Sequence, residues 1–203
     1  MISIRYYNEK YIATLISTRY LLSMKPDHGI RILINRLARI DSAAGWTGDL
    51  NPTQRAALEY LSEANQFSRS PSHVAEYLGT TRGTMSQTLK ALVRKGYTAE
   101  RRQKSDQRSI SYELTEAGVA AVTEPNPIAE AIGNLPAGVH TALKDGLMQC
   151  LRLALAANGG HSFGKCKTCA YHEADSENGF CTLLGLGLEP GEKDKFCIEH
   201  KEA

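Results

Sequence analysis

Residues 70–96, SPSHVAEYLGTTRGTMSQTLKALVRKG, constrain the fold of this chain more than any other stretch. Ser70 followed by Pro71 is a helix-start signal: a serine oxygen accepts from the free amides of the first turn, and proline fits a position whose N–H needs no helical partner. Val74, Ala75 and Leu78 then share one face. Gly79 ends the helix, because glycine adopts the left-handed conformation that closes one. A few residues later Met85, Leu89, Leu92 and Val93 recur at helical spacing until Gly96 ends this helix too.

The neighbouring stretches complete the pattern. In NPTQRAALEYLSEA, Asn51, Pro52 and Gln54 form a capping box that starts a helix running to about Ala64, and the polar NQFSRS connects it to Ser70. Downstream, YTAERRQKSDQRSISYELT alternates about a polar QKSDQ turn, with Ile110, Tyr112 and Leu114 spaced by two, which predicts a hairpin. Two helices at a tight turn followed by a basic hairpin make a winged helix-turn-helix. The predicted fold class is mainly α with a small β wing.

Arg82, Thr84, Ser86, Gln87, Lys90 and Arg94 lie mostly off the buried face of the second helix. Between Arg82 and Arg108 there are eight Lys/Arg against two Asp/Glu, in a chain whose net charge is only +2. Cations concentrated in this way release counterions from a phosphate row. Thr84, Ser86 and Gln87 have the size and polarity to reach base edges in a major groove. Arg94 and Lys95 read as phosphate or solvent contacts. Arg102, Lys104 and Arg108 belong to the hairpin, and Arg108 near its tip is placed for a minor groove, with Asp106 able to orient it through a bidentate pair. A solvated basic face is the alternative for any one of these residues, and it weakens once the helix spacing and the wing occur together.

From about Leu50 to Thr115, and above all in VAEYLGTTRGTMSQTLKALVRKG and SDQRSISYELTEAG, the chain resembles the MarR family of bacterial transcriptional regulators, whose wing carries Asp-x-Arg before a strand ending in Leu-Thr; here these are Asp106, Arg108, Leu114 and Thr115. The resemblance implies a two-fold homodimer built by N- and C-terminal helices. It would set two recognition helices on the half-sites of an inverted-repeat operator in double-stranded DNA, with repression the favoured outcome and room for a small-molecule effector.

The flanks fit that expectation from their own pattern. Ile30, Leu33, Ile34 and Leu37 make one apolar stripe, and Val139, Leu143, Leu147, Cys150, Leu151 and Ala154 another. Stripes beyond the needs of a small winged core call for self-association. Cys150, inside such a stripe, reads as a buried small hydrophobe. The chain thus divides into N-terminal dimerisation helices (1–49), a winged helix-turn-helix (50–123), C-terminal dimerisation helices (124–160) and a tail (161–203). Residues 1–24 are the least informative: a further helix using Ile12, Leu15 and Ile16, or an extension.

Four of the five cysteines sit in the tail: Cys166-x2-Cys169, then eleven residues to Cys181 and fifteen to Cys197. With eight Asp/Glu against five Lys/Arg from His161 onward, the tail is no second DNA surface. A close pair lets two thiolates turn toward one centre, and two cysteines from separate loops complete four ligands. The donors suit an iron–sulfur cluster or zinc, and metal-free thiol–disulfide switching remains open. The segment resembles a shortened version of the cluster-binding stretch of high-potential iron–sulfur proteins, with Tyr171, Phe180 and Phe196 as shielding aromatics. His161, His172 and His200 are spare candidates left outside the ligand set, and Glu173, Asp175 and Glu177 read as a solvated loop.

The apolar stretch YIATLISTRYLLSM is short, is interrupted by Arg19 and lacks a cleavage site, so a cytoplasmic protein without membrane attachment is expected. No phosphate-cradling glycine loop, metalloprotease helix or nucleophile–base pairing is evident, so no enzymatic activity is expected. The reading is a dimeric, sequence-specific transcriptional regulator whose four-cysteine site senses redox state or iron, or braces the fold. A winged protein–protein adaptor and a small redox or electron-transfer protein are the alternatives.

Overall fold

The computed structural model describes residues 20, 23–46, 48–102, 110–157, 159, 163–174 and 178–203. Helix α1 (Pro26–Ala44) leads into a winged module of α2 (Pro52–Glu63), α3 (Pro71–Tyr77), α4 (Arg82–Arg94), β1 (Thr98–Arg102) and β2 (Ile110–Leu114). Helices α5 (Glu116–Val122), α6 (Pro127–Gly133) and α7 (Ala137–Ala157) follow. The tail is made of two-residue strands: β3 (Gly164–Lys165), β4 (His172–Glu173), β5 (Phe180–Cys181), β6 (Leu186–Gly187) and β7 (Phe196–Cys197). The expectations for residues 1–19 and for Lys104, Asp106, Arg108, His161, Asp175 and Glu177 lie outside the described residues.

Local chemistry sets the helix ends. Asn51 Oδ1 accepts from the Gln54 amide at 2.9 Å while Gln54 Oε1 accepts from the Asn51 amide at 3.2 Å, closing the capping box of α2. Ser70 caps α3, Thr81 caps α4 and Thr115 caps α5, each through its side-chain oxygen. Gly79 and Gly96 end the two central helices with φ of +62° and +82°, a region that a β-carbon disfavours. The strands β1 and β2 pair antiparallel from Thr98↔Leu114 to Arg102↔Ile110.

Leu58 of α2, Val74 of α3, Met85, Leu89 and Leu92 of α4 and Tyr112 of β2 are fully buried together. Each such side chain contributes about 1.5–3 kcal/mol on burial, so the three helices and the wing form one self-sufficient core. The flanking helices behave differently. Among the residues of α7 none is buried, and Ile30, Leu33 and Leu37 of α1 stay exposed with Val139, Leu143, Leu147 and Leu151. Cys150, expected to be buried, is exposed, because nothing in a single chain covers its stripe. Among the described residues no helix is long and apolar enough to cross a membrane.

The tail packs against the module through the connection between α2 and α3, residues 64–69. The Asn65 amide donates to the Phe196 carbonyl at 2.8 Å, and the Ile198 amide donates to Ser68 Oγ at 3.0 Å. Glu192, buried, accepts from the Gln66 amide at 2.7 Å and pairs with Arg69 at 3.5 Å. Tyr77 stacks near Phe196 and meets Phe163 edge-on at 5.0 Å between centroids. The same connection reaches the wing, since the Tyr112 amide of β2 donates to the Arg69 carbonyl at 3.1 Å.

Candidate nucleic-acid interface and cysteine pocket

Helix α4 buries Met85, Leu89 and Leu92, and its 3.6-residue period therefore turns Arg82, Thr84, Gln87, Lys90 and Arg94 outward. All five are exposed, and Ser86 is half-buried at the edge of the face. No acidic residue occurs between Arg82 and Arg94, so nothing on the helix itself repels phosphate. Thr84 is partly committed locally: its amide donates to Thr81 Oγ1 at 3.1 Å, and the two hydroxyls stand 2.9 Å apart. Its hydroxyl still has capacity for a second partner.

The wing contributes through β1. Arg102 is exposed at the end of the strand, opposite Ile110. Arg101 is held by Glu113 at 2.8 Å across the hairpin. Lys95, read from sequence as a phosphate or solvent contact, has a different role. Its Nζ donates to the Asp49 carbonyl and to Gln54 Oε1, tying the end of α4 to the start of α2. That tie depends on two segments 41 residues apart, which no local pattern could reveal.

A cavity of about 340 Å³ opens between α1, α2 and the segment before α6, bordered by Asp41, Pro52, Arg55, Glu59, Thr84 and Asn126. Arg55 is buried in its floor and paired with Glu59 at 2.9 Å and Glu124 at 3.3 Å. The volume is within the range of small-molecule sites, which starts at about 300 Å³.

The four tail cysteines meet at a second pocket. Cys166, Cys169, Cys181 and Cys197 all line it, with Tyr171, Phe180 and leucine side chains as walls. Phe196, expected among the shielding aromatics, faces Tyr77 of the winged module instead, because alternation along β7 sends it to the side opposite Cys197. His172 also borders the pocket, and its Nε2 is buried without a hydrogen-bond partner among the described residues. Gly179 passes so close that a β-carbon there would stand 2.3 Å from that nitrogen. His200 is bonded to Thr168 at 3.0 Å, and Glu173 is exposed.

Asn65 is the residue that sequence reasoning missed. It is fully buried, and its Nδ2 donates to Cys166 Sγ at 3.2 Å. In the sequence it sits in a polar connector 101 positions away, with no periodicity to mark it. Cys166 donates in turn to Cys197: this bond holds the Cys166 thiol well above its ordinary range, with burial acting the same way, and holds Cys197 below its own. Further donors at Cys197 are the Glu199 amide and Ser68. The Lys201 amide approaches Cys169 Sγ at 3.5 Å.

Residues 48–109, from just before α2 to just before β2, match the family model described as MarR family. The winged-helix segment is a MarR-family domain. Around it the MarR-like fold extends into the flanking helices. A MarR transcriptional regulator from Methanosarcina mazei Go1 superposes with a TM-score of 0.53 at 20% identity, covering 63% of this chain and 97% of that one. The S. aureus MepR–DNA complex gives 0.51 at 20%, covering 64% and 98%. CouR from Rhodococcus jostii RHA1 bound to p-coumaroyl-CoA gives 0.52 at 16%, covering 64% and 93%. Each match spans nearly the whole of the other protein and leaves more than a third of this chain uncovered. No curated protein sequence matches the chain.

Proposed function

We propose that this MarR-family protein is a homodimeric transcriptional regulator that binds double-stranded DNA at an inverted repeat through α4 and the wing, and whose four-cysteine tail is a metal- or redox-responsive lobe. The observation that carries the DNA-binding reading is the outer face of α4: Arg82, Thr84, Gln87, Lys90 and Arg94 exposed together, with no carboxylate on the helix. Gln87 lies one turn beyond the N-terminus, where a recognition helix meets base edges. Arg82, Lys90 and Arg102 flank it as phosphate contacts that fix register. The exposed stripes of α1 and α7 supply the surface for a second copy.

The tail is read as responsive because its thiols are bonded to the winged module. A change at Cys166 acts on Asn65, which shares a six-residue connection with Arg69, and Arg69 holds β2 of the wing. A signal at the pocket therefore regulates DNA binding only if the two states of the tail favour different poses of this connection. The 340 Å³ cavity beside α2 is proposed as the site of a small-molecule effector, by analogy with the ligand named in the CouR structure.

Selection of bound duplexes from a random library, followed by titration of the enriched sequence in rising salt, tests the reading. Gln87→Ala is expected to weaken binding by about 1–3 kcal/mol and to relax one position of the site. Lys90→Ala is expected to weaken all sequences alike and to lower the salt slope by about 1. Failure to enrich any sequence, or equal affinity of both variants at every salt concentration, would favour an adaptor in place of a regulator.

A further inference from the structure

We propose that Cys166, Cys169, Cys181 and Cys197 hold an iron–sulfur cluster at the seam between tail and winged module, with Asn65 of the winged module as its outer hydrogen-bond donor. This rests on the reading of the tail as a metal- or redox-responsive lobe and is independent of the DNA-binding reading.

The donor set consists of four thiols around one pocket. A single zinc ion needs each sulfur at about 2.3 Å, so its four thiolates crowd within about 4 Å of one another. Cys166 and Cys197 are neighbours in that pocket. Among the described residues, however, no three His, Cys, Asp or Glu side chains stand closely enough to share one ion. A cluster spreads its ligands, because each thiolate binds a different iron or shares an iron with one neighbour. Four thiols that line one pocket without any three converging on a single ion match that demand.

The pocket surroundings fit the same species. Tyr171, Phe180, Leu183 and Leu188 line the pocket with apolar side chains, and protein N–H groups point at the sulfurs: Asn65 Nδ2 at Cys166, the Lys201 amide at Cys169 and the Glu199 amide at Cys197. Such donors stabilise thiolate charge in a low-dielectric site and raise the reduction potential of a bound cluster. Asn65, like Ser68, comes from outside the tail, and its side-chain amide reaches Cys166 directly. Its backbone amide is fixed to the Phe196 carbonyl at 2.8 Å, which aims the side chain into the pocket. It acts through Cys166 and is a positioning residue.

The test uses the full chain purified without oxygen, analysed for iron, acid-labile sulfide and zinc, with a visible spectrum. Iron and sulfide in comparable amounts and a broad blue absorption are expected, together with uptake of both by protein stripped of metal. Cys181→Ser should lose the absorption. Asn65→Leu, close to isosteric, should keep the iron and sulfide while the reduction potential shifts downward. One zinc per chain without sulfide, or a chain that binds neither metal after incubation with iron and sulfide, would overturn the cluster assignment. An unchanged potential in Asn65→Leu would overturn the role of Asn65. DNA affinity, measured on the same preparations, reports separately on the winged module.

Discussion

Glu192 shows how much a single side chain contributes to joining the tail to the module. Its carboxylate is buried and meets the Gln66 amide at 2.7 Å, Arg69 at 3.5 Å and Lys195 at 3.5 Å. Replacing it by alanine leaves the largely buried Arg69 guanidinium without its counter-charge, which costs about 3 kcal/mol. Glu192→Ala should accordingly lower the midpoint of urea denaturation, and a loss below about 1 kcal/mol would show that the pair is solvated and holds nothing. The sequence offered no hint of this role, because Arg69 and Glu192 stand in two polar stretches far apart. The capping residues Asn51 and Ser70 were legible for the opposite reason: their partners lie three residues away, inside the window where local chemistry decides conformation.

At the scale of elements, the winged module was readable almost throughout. Its helices declare themselves by period and caps, and its hairpin by alternation about a polar turn. The packing of one element on another was less visible. Gly118 in α5 is an example: a β-carbon there would stand 2.1 Å from the Tyr97 carbonyl oxygen, which already accepts from the Thr115 amide at 3.1 Å. Gly118→Ala must push α5 off the turn that leads into β1, at a cost of about 3 kcal/mol. A melting temperature within a degree of the parent's would refute that close approach. Gly83, whose added β-carbon would lie no nearer than 3.9 Å to Thr81 Oγ1, is the control substitution and should be tolerated.

At the scale of the whole molecule, the apolar faces of α1 and α7 stand exposed among the described residues. Leu147 and Leu151 are 44% and 54% exposed on a helix with no buried residue. A second copy would cover them, and two-fold pairing would also fix the spacing of the two α4 helices on DNA. Leu147→Asp combined with Leu151→Asp should convert a dimer to a monomer in sedimentation velocity and reduce DNA affinity far more than either α4 substitution, because one half-site contact is lost entirely. A parent chain that sediments as a monomer would remove the dimer from the proposal.

What the sequence determined by itself is whatever depends on neighbours a few residues apart: the helix caps, the glycine stops, the amphipathic stripes, the alternation of the wing and the presence of four tail thiols. These follow from backbone sterics and short-range hydrogen bonds, which act within one or two turns. The tertiary structure alone decided where distant segments meet. It made Lys95, read from sequence as a phosphate or solvent contact, a tie between α4 and α2, sent Phe196 to the module in place of the thiol pocket, left Cys150 exposed on a single chain, and brought Asn65 against Cys166. Such contacts form because a buried polar group must find a partner wherever the closed chain offers one, and that choice is made only once the core of the winged module has set the positions of everything attached to it.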